Sequence, residues 1–244
     1  MPCFKDTMKF LKSIISLVII ATMAISPAFG IHKKQLTKLQ EQQHQSMHEI
    51  VMVDRDTDGE IVSGGLCTAY AVGPHTLMTA QHCDDEKTDR VYVDPVTRES
   101  VKDNTAVSYK IVSRQFDNQD HMLLDLSGAN FKVTIFLSPN VRLPQQGEHV
   151  YQWGCPAGIR DQYREGVVMG SLPMGILDDT EVNAKGPLVY FIQEAIIGGD
   201  SGSAIFSAKD GALIGIVTYG LDNGQTAGVY PIQFTGAQIE ASLK

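Results

Sequence analysis

Short apolar runs broken by turn residues dominate the chain from Ile50 onward. "EIVMV" and "EIVSGGLCTAYAVG" flank "DRDTDG", which predicts a hairpin with an Asp-Gly turn. Further strands are predicted at "RVYVDP", "SYKIVS", "HMLLDL", "KVTIFL", "EHVYQWG", "GVVMGSL", "LVYFIQE", "SAIFS", "ALIGIVTYG" and "GVYPIQ". Many short strands at regular spacing predict an all-β barrel or sandwich, with "AQIEASL" as a short C-terminal helix.

Two N-terminal segments break this texture. The first has lysines, an apolar run from Ile14 to Ile25 and a break at Pro27, with small residues up to Gly30. That is the pattern of a secretory signal peptide over residues 1–30, and it is short for a spanning helix. It predicts a secreted or periplasmic protein with no stable membrane insertion once the signal is removed. Residues 31–48 are polar and glutamine-rich, with only a thin stripe of Leu36, Leu39, Gln43 and Met47 at helical spacing. They read as a marginal helix, linker or short pro-segment, not a core element, before a domain spanning 49–244.

The chain has 244 residues, 43% of them apolar, and a formal charge of −8. Residues 1–30 hold three lysines and one aspartate, so their loss shifts the charge to −10. Nothing in this balance favours a nucleic-acid partner, which would need a basic stripe, and none is expected. Asp54, Asp56, Asp58 and Gly59 match half of a calcium loop, but the twelfth position is Gly65, where a glutamate is needed. The segment reads as a solvated hairpin tip, and neither metal nor organic cofactor is implied.

The chemistry centres on "IIGGDSGSAI". A serine hydroxyl becomes a nucleophile only beside a base that is itself oriented, with donors aimed at the developing oxyanion. Of seven histidines, His82 in "LMTAQHC" stands apart, at the end of an apolar strand and before a cysteine. "LMTAQHC" and "GDSGSA" resemble the histidine and serine motifs of the chymotrypsin-like (trypsin-fold) serine peptidases. "GIVTYG" and "AGVYPI" resemble the strands beside that family's specificity pocket. The resemblance covers roughly residues 50–240.

The resemblance implies two packed six-stranded antiparallel barrels, the first over about 49–130 and the second over about 140–235. The linking segment falls near 127–145. It implies a catalytic set of His82, Asp120 and Ser201, in the family's chain order, with Asp117 and Asp125 as competitors for the acid. The oxyanion donors would be the N–H groups of Gly199 and Ser201, and Asp200 would brace the loop. A disulfide between Cys67 and Cys83 would close the histidine loop, leaving Cys155 unpaired. Pocket residues would be Ala195 at the base, with Ile196, Thr218, Tyr219, Gly220 and Gly228, the two glycines keeping the walls open. Because Ala195 carries no charge, an apolar residue before the cleaved bond is the expected preference. Basic specificity through Glu194 is the competing reading, and an inactive trypsin-fold binding protein is the alternative from another class. No "IVGG"-like activation site precedes the domain at the usual distance, and the expected partners are protein or peptide substrates.

Overall fold

The computed structural model describes residues 38–84, 88–173, 188–221 and 224–244. The signal-peptide reading lies outside these residues.

The strands close into two antiparallel barrels of six strands each. The first contains β1 (Met47–Arg55), β2 (Ile61–Ala71), β3 (Thr76–Ala80), β4 (Arg90–Val93), β5 (Ser108–Phe116) and β6 (His121–Ser127). The second contains β7 (His149–Gly154), β8 (Gln162–Pro173), β9 (Leu188–Gln193), β10 (Ala204–Ser207), β11 (Leu213–Gly220) and β12 (Thr226–Tyr230). The two-barrel architecture expected from the sequence is the one observed. Each barrel fills itself with branched aliphatic side chains: Ile50, Leu77, Leu124 and Leu126 in the first, Val150, Ile192, Ile205 and Val229 in the second. Closure leaves each strand flanked on both sides, which an open sheet cannot do.

The β1–β2 hairpin forms as its turn sequence requires. The Asp56 carboxylate accepts from the N–H groups of Asp58 and Glu60, and Gly59 takes φ +84°. The Asp56 carboxylate therefore satisfies its own turn.

A third apolar cluster seals the barrels together. It draws Met47, Tyr70 and Leu123 from one side and Trp153, Phe206 and Ile216 from the other. The Tyr70 hydroxyl donates to the Trp153 carbonyl at 2.8 Å, fastening β2 to β7.

Two segments differ from their sequence reading. "KVTIFL", expected as a strand, runs as irregular chain between the barrels. Ile135 and Leu137 are buried in the interface cluster, and the Ile135 N–H bonds the Ala71 carbonyl at 2.9 Å. Alternating burial produced a strand-like pattern without a strand ladder. Residues 38–48, read as a marginal helix, linker or pro-segment outside the core, form helix α1 (Lys38–Gln45) and the start of β1, and the difference is that they are packed into the domain. Gln43 is buried: its amide donates to the Gly211 carbonyl at 2.8 Å and its carbonyl accepts from Tyr151 at 2.6 Å. His44 stacks on Trp153 with ring centroids 4.1 Å apart. Two further helices, α2 (Arg98–Lys102) and α3 (Gly236–Ser242), each begin with a capping box; α3 is the short C-terminal helix the sequence predicts.

Candidate active site

His82 lies in a single 3-10 turn, Gln81–Cys83, at the end of β3. Asp120 immediately precedes β6, the strand paired with β3. That pairing brings the two together despite their separation in sequence. Asp120 adopts φ +60°, which is uncommon for a residue with a side chain and tolerated best by aspartate and asparagine. Its carbonyl accepts from Gln81 N–H at 2.9 Å, and its Oδ1 accepts from His82 N–H at 2.9 Å. Oδ2 lies 2.7 Å from His82 Nδ1. With Nδ1–H donating to the carboxylate, Nε2 is left as an acceptor. It lies 2.8 Å from Ser201 Oγ.

The competing acids are placed elsewhere. Asp117 faces away and holds the buried His121 at 2.7 Å, while also accepting from Gln233 N–H. Asp125 pairs with Thr76 inside the β3–β6 ladder. The acid chosen is not deeply buried: the Asp120 side chain is 31% exposed and that of His82 is 44% exposed.

Ser201 sits on a turn gripped from both barrels. Its carbonyl accepts from Thr68 N–H of β2 at 2.8 Å. Thr68 Oγ1 donates to the Gly199 carbonyl at 2.8 Å and accepts from Cys155 N–H at 3.0 Å. Gly202, at φ +87°, passes so close to Thr68 that a β-carbon would sit 2.0 Å from its carbonyl oxygen. Thr68 thus locks the Ser201 turn to the first barrel. Sequence reasoning missed it, although it directly follows Cys67.

Gly199 has φ +103°, and a β-carbon there would lie 2.4 Å from the Cys155 carbonyl oxygen. Only glycine fits. The Gly198 carbonyl accepts from Ala157 N–H at 2.6 Å. A trans peptide sets its N–H opposite its C=O. The Gly199 N–H is therefore turned away from the 155–158 turn, as an oxyanion donor must be.

Asp200 is fully buried and meets Arg164, a residue the sequence reading did not single out. The guanidinium pairs with both carboxylate oxygens, one of them at 2.7 Å. The same Arg164 Nη1 donates to the Ala195 carbonyl at 2.8 Å. One side chain from β8 therefore fixes both the turn carrying Ser201 and the expected pocket base. Asp200 also accepts from Ile197 N–H at 2.9 Å.

Glu194 does not face the pocket as a free acid. Its side chain is 1% exposed and sits 3.7 Å from Arg164 Nε. Burial pushes its carboxyl up to about 7, opposed by Arg164. A folded-state value above the ordinary 4.5 means that native protein holds this proton while unfolded chain releases it. Stability therefore falls as pH rises from about 4.5 to about 7, by up to about 3 kcal/mol, and then levels. Glu194→Gln is expected to flatten that slope. Thermal melts of both proteins at pH 5 and pH 8 check it, and parallel slopes would refute it.

The pocket glycines behave differently from expectation. Gly220 and Gly228 were expected to hold the walls open, yet both faces are occupied. A β-carbon on Gly220 would come within 2.9 Å of Ile196 Cγ2, and one on Gly228 within 2.2 Å of the Tyr219 ring. The glycines admit these two neighbouring side chains. Thr218 is turned inward, its hydroxyl donating to the Gly228 carbonyl at 3.3 Å. Ala195 is exposed. Cys67 and Cys83 form the disulfide expected of them, and Cys155 is free and buried. Among the described residues, no group of three or more histidine, cysteine, aspartate or glutamate side chains is placed to hold a metal.

A family model described as Trypsin matches residues 38–239. Among solved structures, the active form of the M. tuberculosis protease Rv3671c superposes with a TM-score of 0.59 at 16% identity, covering 84% of this chain and 82% of that one. The inactive Ser343Ala form of Rv3671c from M. tuberculosis H37Rv gives 0.58 at 15% identity, covering 84% and 89%. The HtrA-type protease AlgW, with a tripeptide, gives 0.56 at 17% identity, covering 80% of this chain and 59% of that one. No curated protein sequence matches the chain significantly.

Proposed function

The chain belongs to the trypsin family, and from that premise we propose that it is an exported serine endopeptidase working through Ser201, His82 and Asp120. The observation that carries this reading is the continuous relay from Asp120 Oδ2 through the imidazole to Ser201 Oγ, with links of 2.7 and 2.8 Å. Ser201 attacks the scissile carbonyl while His82 Nε2 takes its proton. Asp120 holds the tautomer and stabilises the imidazolium, which then protonates the leaving amine. The N–H groups of Gly199 and Ser201 receive the oxyanion. Water completes the cycle by hydrolysing the acyl-enzyme.

We assign no cofactor role. Export rests on the sequence of residues 1–30. Among the described residues no helix is long and apolar enough to cross a membrane.

Ile196 over Gly220 and Tyr219 over Gly228 support a preference for a small apolar residue before the cleaved bond. Glu194, answered internally by Arg164, offers nothing to a lysine or arginine there. Peptide-library cleavage tests both points. Alanine and valine are expected to dominate, and Ile196→Gly is expected to improve leucine and phenylalanine substrates about 10–100-fold, the range each pocket methylene or few can supply. Preferred cleavage after lysine or arginine would overturn the pocket assignment.

A further inference from the structure

The loop that carries Asp120 contains a second aspartate–histidine couple, Asp117 and His121. Both side chains are buried, at 2% and 0% exposure, with Asp117 Oδ2 lying 2.7 Å from His121 Nδ1. They stand at the two ends of the β5–β6 connection, where Asp117 N–H also donates to the His121 carbonyl at 3.2 Å. Apolar side chains of similar volume would stabilise such a buried place as well or better. What the couple holds sets it apart.

The Asp117 carboxylate accepts four bonds. Oδ1 takes the N–H groups of Gln119 and His121, at 2.8 and 3.2 Å. Oδ2 takes the His121 ring and the Gln233 N–H, at 2.7 and 2.8 Å. The first two bonds bracket Asp120 in sequence. The peptide that follows Asp120 is therefore held at both ends, its carbonyl by Gln81 N–H at 2.9 Å and its N–H by Asp117. Asp120 stands at φ +60°, and a residue with a side chain keeps such a backbone only where its surroundings over-determine it.

The bond to Gln233 crosses the molecule. Gln233 follows β12 of the second barrel, the barrel that carries Ser201. The neighbouring Phe234 is buried against the His121 ring, with centroids 6.3 Å apart. Gln238 of α3 donates from its amide to the Phe116 carbonyl at 2.9 Å. The relay also crosses between barrels, from Asp120 and His82 in one to Ser201 in the other, so a slip between them lengthens one of its links. Thr68 fastens the Ser201 end, and Asp117 with His121 fastens the Asp120 end. His121 Nε2 is buried without a hydrogen-bond partner among the described residues, so the ring's polar contact is the one to Asp117.

We propose that Asp117 and His121 are positioning residues, which hold Asp120 in its left-handed backbone and tie the acid-bearing loop to the second barrel. The carboxylate of Asp120 then meets His82 Nδ1 while Nε2 stays in reach of Ser201. The inference rests on the peptidase reading above. The couple acts on the alignment of the relay and not on substrate binding. A displacement of about 1 Å in such an arrangement costs about 100-fold in rate.

Asp117→Ala is accordingly expected to lower kcat about 100-fold with KM unchanged within about twofold. Two His121 variants separate alignment from packing. Leucine fills the buried space but offers Asp117 no donor. Asparagine gives up volume but places an amide N–H where Nδ1 stood. His121→Leu is expected to keep its Tm and lose kcat about tenfold, and His121→Asn to melt earlier yet recover most of kcat. The reverse order, with kcat following Tm, marks a merely structural role and would overturn the proposal. If Asp117→Ala fails to fold, the two His121 variants decide alone.

Proton NMR of protein carrying isotope-labelled histidine reads the alignment without turnover, through the His82 Nδ1–H held by Asp120. That resonance is expected to weaken or move in Asp117→Ala and His121→Leu and to persist in His121→Asn. A resonance unmoved in Asp117→Ala would overturn the proposal and leave the peptidase reading standing. A protein that cleaves no peptide, yet shows the resonance and loses it in Asp117→Ala, would sink the peptidase reading and keep the positioning role.

Discussion

Ser201→Ala is expected to lower kcat about a million-fold while leaving KM nearly unchanged. In the proposed mechanism the hydroxyl is the atom that forms the acyl-enzyme, and no other side chain on the turn can replace it. His82→Ala should cost about as much, and the double variant little more, because residues acting as one relay lose their function together. Asp120→Asn should cost about ten-thousand-fold by favouring the wrong tautomer. Single-turnover hydrolysis of a peptide anilide and labelling by a phosphonate check these outcomes. Peptide cleavage persisting in Ser201→Ala at more than a thousandth of the original rate would remove Ser201 from the mechanism.

Arg164→Ala is expected to be nearly as damaging by a different route. Asp200 is fully buried and its carboxylate is answered by this guanidinium. Removing one partner of such a pair strands a buried charge at a cost of about 3–5 kcal/mol. For a domain of this size that is about 10 °C or more in Tm. The same deletion releases the Ala195 carbonyl and the brace on the turn that orients Gly199 N–H. Loss of an oxyanion donor lowers kcat about 100- to 1000-fold. Arg164→Lys keeps the charge but not the paired geometry, so partial recovery of stability with poor recovery of kcat is expected. Kinetics at a temperature where both variants remain folded separate the two effects. A variant that melts early yet turns over normally would reduce Arg164 to a structural role. Arg164 supplies the countercharge to the buried Asp200 from within the domain.

The relay was legible because its members sit in short, recognisable strings. His82 follows a strand and precedes a cysteine, and Ser201 lies between glycines whose backbone angles only glycine adopts. Arg164 was not legible. "DQYREG" reads as a turn entering a strand, and nothing along the sequence says that this charge points inward at a carboxylate 36 positions later. The buried glutamines of α1 misled for a related reason. Polar composition predicts exposure, but Gln43 is buried by trading water for Gly211 and Tyr151. "KVTIFL" failed in the opposite direction, since apolar alternation reports burial and not ladder pairing. The pocket glycines showed that a position free of side chain can be open or can make room for a neighbour. Tyr219 and Ile196 decide that question here, and only packing reveals them.

Helix α1 also bears on how the protein is made. Its Gln43 bonds the Gly211 carbonyl, 168 positions downstream. During vectorial synthesis this helix emerges long before its dock has been translated. Short, polar and isolated, an eight-residue helix gains little stability by itself. It must therefore wait, loosely tethered to the first barrel, until the second has closed around Tyr151 and Trp153. Seating it is then a late event in maturation, and a ribosome stalled before residue 211 would carry a first barrel whose leading segment is still accessible to proteases.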